Sequence, residues 1–213
     1  MNKYRDNLIS GLTNELAPVR TFAMRDGAAL VAAASVVTLA AVMLVEGLGA
    51  RVFQGQAAPF FWITNGLLLL LGLASAGAAI ALASPGVGSR HDAPKWAAAM
   101  LGVLPLAALI SVFSRVGTGE IVFDLSALHC FVASLASALF TGGALILWLR
   151  RGAPVSLESA GWFTGIAAGA LGTLIYGMSC PIDNLTHMGI WHVAPVAVAA
   201  LIGRLAVPSL IRW

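Results

Sequence analysis

Charge is what this chain has least of. Of 213 residues, 12 are Lys or Arg and 9 are Asp or Glu, while 59% are hydrophobic and the mean hydropathy is +0.90. A soluble core of this size cannot cover so much apolar surface, so a soluble globular class is excluded and a membrane protein is predicted. Charge is also missing from the middle of every long apolar run. That removes the buried ion or proton relay of many pumps, and leaves transport of an uncharged solute open. Glu46, Arg115, Glu120 and Asp124 fall at the outer ends of runs, and Arg204 is placed to reach the inner surface. Cysteine is scarce as well: Cys130 and Cys180 are the whole supply, 50 residues apart, which excludes a CxxC motif and zinc-finger spacing. The net charge of +3 forms no basic stripe, so no direct nucleic-acid partner is expected and the cations read as topology signals. A cleaved signal peptide is not expected either, because the first apolar run, 27–45, is longer than a normal signal core and follows a polar arm.

What is present is six apolar segments, at 27–46, 57–83, 96–113, 124–149, 159–178 and 190–210. Each comes close to, or reaches, the roughly 20 residues that cross about 30 Å of hydrocarbon as a helix. Small residues abound, as at 75–79 and 165–169, and let helices approach closely. The predicted fold is all-α: a compact bundle of six transmembrane helices in residues 27–213, preceded by an arm at 1–26. Small-residue faces also permit a homo-oligomer without requiring one. Ten cations (Lys3, Arg5, Arg20, Arg25, Arg90, Lys95, Arg150, Arg151, Arg204 and Arg212) fall on one side of this arrangement, against Arg51 and Arg115 on the other. The asymmetry predicts that both termini are cytoplasmic and that the stretch 179–192, with Cys130, faces outward.

In the arm, Leu8, Leu12 and Leu16 are four apart, with Ile9 and Val19 extending the apolar side. This predicts a short amphipathic helix over 7–16 that Pro18 stops, lying on the lipid surface or docking a partner.

The stretch 179–192 gathers Cys180, Asp183, His187, Met188, Trp191 and His192. Pro181 after Cys180 reads as a helix start with Cys180 at the N-cap and Asp183 near the positive dipole end, where a thiolate is favoured. His187 and Trp191 are four apart, as are Met188 and His192, with Gly189 placed to break that register. Thiolate, imidazole and thioether together suit copper(I) or zinc. The imidazoles read equally as interfacial hydrogen-bonding groups, Trp191 as a belt residue, and Met178 and Met188 as packing. Cys130 either packs as a small buried residue or meets Cys180, since a disulfide needs Cα atoms within about 7 Å. His129 points roughly 100° away from Cys130 on a helix, toward a different partner. The candidate ligands for a transient soft metal ion are therefore Cys130, Cys180, His129, His187 and His192, and no other cofactor is indicated.

The arm sequence Leu16-Ala17-Pro18-Val19-Arg20, the six short spans, the lone cysteine opening the fourth span and the Cys180-Pro181 to Trp191-His192 element resemble the NrsF family of bacterial membrane anti-sigma factors. The resemblance implies an inner-membrane regulator, not an enzyme. Its cytoplasmic arm would hold an extracytoplasmic-function sigma factor, with Leu8, Leu12, Leu16, Pro18, Val19 and Arg20 as candidate contacts. Cys130 and Cys180 would sense oxidative or heavy-metal stress. The arm lacks the His/Cys zinc motif of soluble anti-sigma domains. Two competing classes predict different measurements. A membrane thiol oxidoreductase would pass electrons to a quinone, but ordinarily uses a second cysteine pair for relay. A small metal or solute carrier would show flux in proteoliposomes.

Overall fold

A computed structural model describes residues 3–14, 23–47, 49, 54–84, 93–115 and 125–212. Among these residues the chain forms eight helices and no strand. They are α1 (Lys3–Asn14), α2 (Met24–Val45), α3 (Pro59–Leu82), α4 (Ala93–Arg115), α5 (Leu125–Arg151), α6 (Leu157–Gly177), α7 (Leu185–Trp191) and α8 (Ala194–Ile211). Each of the six apolar segments becomes a helix, because only a helix satisfies its own backbone groups in an apolar setting. Four stretches are long and apolar enough to cross a membrane: Met24–Val45, Pro59–Leu82, Ser126–Arg151 and Leu185–Ile211. The last contains α7 and α8 together. Leu44, Ile110, Leu139 and Leu205 are among the large apolar side chains that point out of the bundle.

The arm helix lies at Lys3–Asn14, so it begins earlier than the expected 7–16. Leu8, Ile9 and Leu12 are exposed on it. Leu16, Pro18, Val19 and Arg20 lie outside the described residues.

α6 is the axis of the bundle, packed against α8, α5, α3 and α2. Its sequence explains the position. Ser156 caps its start, accepting from the Ser159 amide, and Gly161, Gly165 and Gly169 then recur every four residues along one face. α8 lies in that face: a Cβ built at Gly165 would stand 2.2 Å from the Ala199 carbonyl oxygen, and one at Gly203 would stand 2.5 Å from the Gly161 carbonyl oxygen. Backbone meets backbone there, as small-xxx-small helix pairs require. The remaining core is aliphatic, with Leu68, Leu71, Ile166, Ala170, Val196 and Ala200 in one cluster and Ala79, Ile80, Leu145, Trp148, Leu149 and Leu171 in another. Thr64, Asn65, Thr141 and Thr164 are all buried within helices. The Asn65 amide donates back to the Phe61 carbonyl at 2.9 Å.

α2 is the loosest of the membrane-length helices, with a mostly exposed surface and two clips. At its start, Gly27 lets α2 press on Ile80 and Trp148: a Cβ there would stand 2.8 and 2.9 Å from their side chains. At its other end, Glu46 pairs with His129 of α5 at 3.2 Å.

Candidate functional site

The two cysteines come together at one end of the bundle. Cys130 sits in the second turn of α5, and Cys180 in the connection between α6 and α7. Their sulfurs lie 3.5 Å apart as free thiols. Both are buried, at 3% and 8% exposure, in a small cluster with Tyr176. The Tyr176 hydroxyl donates to the Cys130 sulfur at 3.5 Å.

The connection that carries Cys180 is held in place by its own sequence and by the α2–α3 loop. The Gly49 amide donates to the Met178 carbonyl at 3.0 Å, and the Ser179 hydroxyl donates to the Gly47 carbonyl. The Ala58 amide donates to the Asp183 carboxylate at 3.0 Å. Asn184 then caps α7, accepting from the His187 amide at 2.8 Å. The helix therefore starts four residues later than expected. Cys180 is not its N-cap, and Pro181 precedes the helix instead of opening it. The expected dipole assistance to a Cys180 thiolate is lost. The neighbouring Cys130 sulfur and burial push the Cys180 thiol up, above its ordinary range, because two adjacent sulfurs in an apolar pocket resist losing both protons.

The helix runs through Gly189 without a break and ends instead at His192, the C-cap of α7. Pro195 supplies the reason. It stands in the first turn of α8, and its ring would clash with the Trp191 carbonyl four residues back in a continuous helix. The break turns His192 inward with His187, their ring centroids 5.4 Å apart. His187 Nε2 lies 3.4 Å from the Cys180 sulfur. Both imidazoles are buried, at 2% and 0% exposure. One ligand atom from each of Cys130, Cys180, His187 and His192 lies within 4.8 Å of all the others.

His129, the fifth candidate, does not join this group. It points to the neighbouring face of α5, pairs with Glu46, and reaches the cluster only by an edge contact with the Tyr176 ring at 6.2 Å. Met188 is fully buried and packs. Tyr176 is a contact that spacing did not reveal, although it is one of two tyrosines in the chain and one turn before Cys180. Its ring also lines a cavity of about 260 Å³ between α2 and α5, together with Val42, Glu46, Ala133 and Ser137.

Chemically, the pocket offers two soft sulfurs and two imidazoles, all buried. Such a set can form a disulfide or hold one soft or borderline cation.

Comparison with known proteins matches this pattern to one group. A family model described as "NrsF: Negative regulator of sigma F" matches residues 12–213. The Anti-sigma-F factor NrsF of Caulobacter vibrioides is 31% identical over 213 residues, covering 96% of this chain and 94% of that protein. A Probable anti-sigma-F factor NrsF of Azospira oryzae is 25% identical over 158 residues, covering 73% of each chain. No solved structure matches. The family's described role is regulatory. The chain belongs to the NrsF family, the negative regulators of sigma F.

Proposed function

We propose that this protein is an inner-membrane anti-sigma factor that holds an extracytoplasmic-function sigma factor on the cytoplasmic face and releases it when the outer thiols react with an oxidant or a heavy metal. One observation carries the sensing half. The only two cysteines, 50 residues apart in sequence, meet at 3.5 Å in a buried pocket. A peroxide would oxidise one thiol to the sulfenic acid with release of water, and the second thiol would displace a second water to close the disulfide.

All six long helices then serve as spans, α6 enclosed by its neighbours and α4 turning Trp96, Leu106 and Ile110 outward. The cations support the orientation. Arg25, Lys95, Arg150, Arg151, Arg204 and Arg212 lie toward the end of the bundle opposite Cys130, which is the cytoplasmic end under the positive-inside rule. The arm at 1–26 then lies on the cytoplasmic side, and exposed Leu8 and Leu12 are available for docking with Leu16, Pro18, Val19 and Arg20.

α2 is the route between the two faces. It follows the arm in sequence, packs lightly, and is clipped at its outer end by Glu46 to His129, the residue beside Cys130. Drawing Cys130 toward Cys180 rotates that turn of α5 and moves the clip. Release requires the reacted thiols to favour one arrangement over the other, and a shift from 1:99 to 99:1 takes about 5.5 kcal/mol. A covalent bond or a tightly bound cation supplies a bias of that size.

Deletion of residues 1–26 tests the output. Membranes containing the full chain are expected to retain the sigma factor in a pull-down. Membranes containing the truncated chain, inserted at equal level, are expected to lose at least about tenfold, a 1.4 kcal/mol change or more. Equal retention without the arm places docking elsewhere.

A further inference from the structure

Within the thiol pocket, His192 stands apart from the other three members of the cluster. Neither its Nδ1 nor its Nε2 has a hydrogen-bond partner, in a side chain with no solvent exposure. An imidazole always carries at least one N–H and, when neutral, one lone pair, and both are costly to bury unpaired. A second orphan lies beside it. Asn65 Oδ1 of α3 is buried without a partner, and both it and His192 Nδ1 border Gly177. A Cβ on Gly177 would stand 2.9 Å from Asn65 Oδ1 and 3.4 Å from His192 Nδ1. Both nitrogens of the His192 ring thus await partners.

Two edges of the pocket already match a small tetrahedral ion, and all four donors lie within 4.8 Å of one another. Bonds of about 2.3 Å to sulfur and about 2.0–2.1 Å to nitrogen give donor-to-donor edges of roughly 3.3–3.8 Å. The two sulfurs are 3.5 Å apart, and Cys180 Sγ is 3.4 Å from His187 Nε2. The charge matches too. Two thiolates cancel a divalent cation, leaving a neutral cluster in an apolar pocket, whereas copper(I) would leave a net negative charge. Magnesium and calcium require oxygen donors.

We propose that Cys130, Cys180, His187 and His192 hold one divalent cation of the zinc class, and that Asn65 is a positioning residue whose Oδ1, otherwise unpartnered, accepts the Nδ1–H of His192 once the ion is bound and so presents the other ring nitrogen to it. Binding expels the two thiol protons to solvent, and no electron moves. This deepens the sensing reading and rests on it. The resident ion keeps the thiols reduced and poised, and an oxidant or a softer metal acts by displacing it. A metal-bound histidine characteristically donates its other N–H to a carbonyl or carboxylate, and loss of that partner typically costs 10–100-fold in affinity.

The test uses the full-length protein extracted in detergent without chelator. Elemental analysis is expected to give about one zinc per chain. Cys130→Ser, Cys180→Ser, His187→Gln and His192→Gln should each fall to background. Asn65→Leu is expected to weaken zinc roughly 10–100-fold, with affinity restored by Asn65→Asp, which keeps the acceptor oxygen. Misfolding of variants is bypassed by adding cobalt(II) to chelator-stripped wild type, where thiolate-to-cobalt charge transfer and intense tetrahedral d–d bands are expected. A six-coordinate cobalt spectrum, or zinc that persists in either histidine variant, overturns the proposal. Sigma-factor retention, measured on the same preparations, separates the two claims. Metal-free wild type that still releases its sigma factor on oxidation overturns the ion and leaves the thiol switch standing. Stoichiometric zinc with no sigma factor retained overturns the regulator reading and leaves the ion standing.

Discussion

Replacing Gly165 with leucine is expected to remove the folded protein from detergent extracts altogether. At this position the α6 backbone rests on the α8 backbone, and even a methyl group would stand 2.2 Å from the Ala199 carbonyl oxygen and 2.8 Å from the Ala200 Cα. Neither atom can rotate aside as a side chain can. Overpacking a filled interior typically costs about 1–3 kcal/mol, and Gly165→Ala already belongs at the upper end of that range. A leucine would force α8 off α6. Because α8 carries His192 at its approach and Arg204, which pairs with Glu158 of α6, the site would be lost with the packing. Gly66 supplies the control. It lies on the exposed face of α3 with nothing within 4 Å of a Cβ, so Gly66→Leu is expected to leave the yield unchanged. Gly66→Ala should stabilise the helix by roughly 0.5–1 kcal/mol. Fluorescence-detected size exclusion and thermal unfolding in detergent check both. Equal yields for the two leucine variants would contradict the backbone-contact account of the α6–α8 pair.

The second large effect is functional. Cys130→Ser and Cys180→Ser are each expected to insert normally and to abolish release of the sigma factor by a thiol oxidant, whether the variant is locked holding or locked empty. A hydroxyl fills nearly the same space in the Tyr176 pocket, so folding should change little, while a disulfide can no longer form. A normal response in both variants would make the cysteines structural packing and move the sensing chemistry elsewhere.

Much of this arrangement was legible in the sequence, for identifiable reasons. The six apolar segments became helices because hydrophobic runs of that length leave few alternatives. The Gly165 to Gly169 stretch pointed to close helix packing because small residues state their purpose plainly. Cys130 and Cys180 were placed at one end because the segment boundaries fixed their depth, and their 3.5 Å contact follows from that depth plus the adjacency of α5 and α6.

What sequence could not place were features decided by tertiary contact. Pro181 looks like a helix opener, yet Asn184 makes the cap, because the Ala58 amide holds Asp183 in the loop. Gly189 looks like a breaker, yet Pro195 sets the break, and only that break turns His192 toward His187. His129 is adjacent to Cys130 in sequence but faces Glu46 across 83 residues. Tyr176 and Asn65 carry no spacing signal, since their partners lie on other helices. Membership of the negative-regulator family entered through motifs and was confirmed by comparison over nearly the whole chain.

The central claim is that the thiol pocket and the arm are two ends of one switch. One sample of membranes tests it most directly: sigma factor retained and free thiols remaining, measured together as an oxidant is titrated in. Release is expected to track the loss of the Cys130 and Cys180 thiols along one curve. Complete oxidation of both thiols with the sigma factor still bound would contradict it.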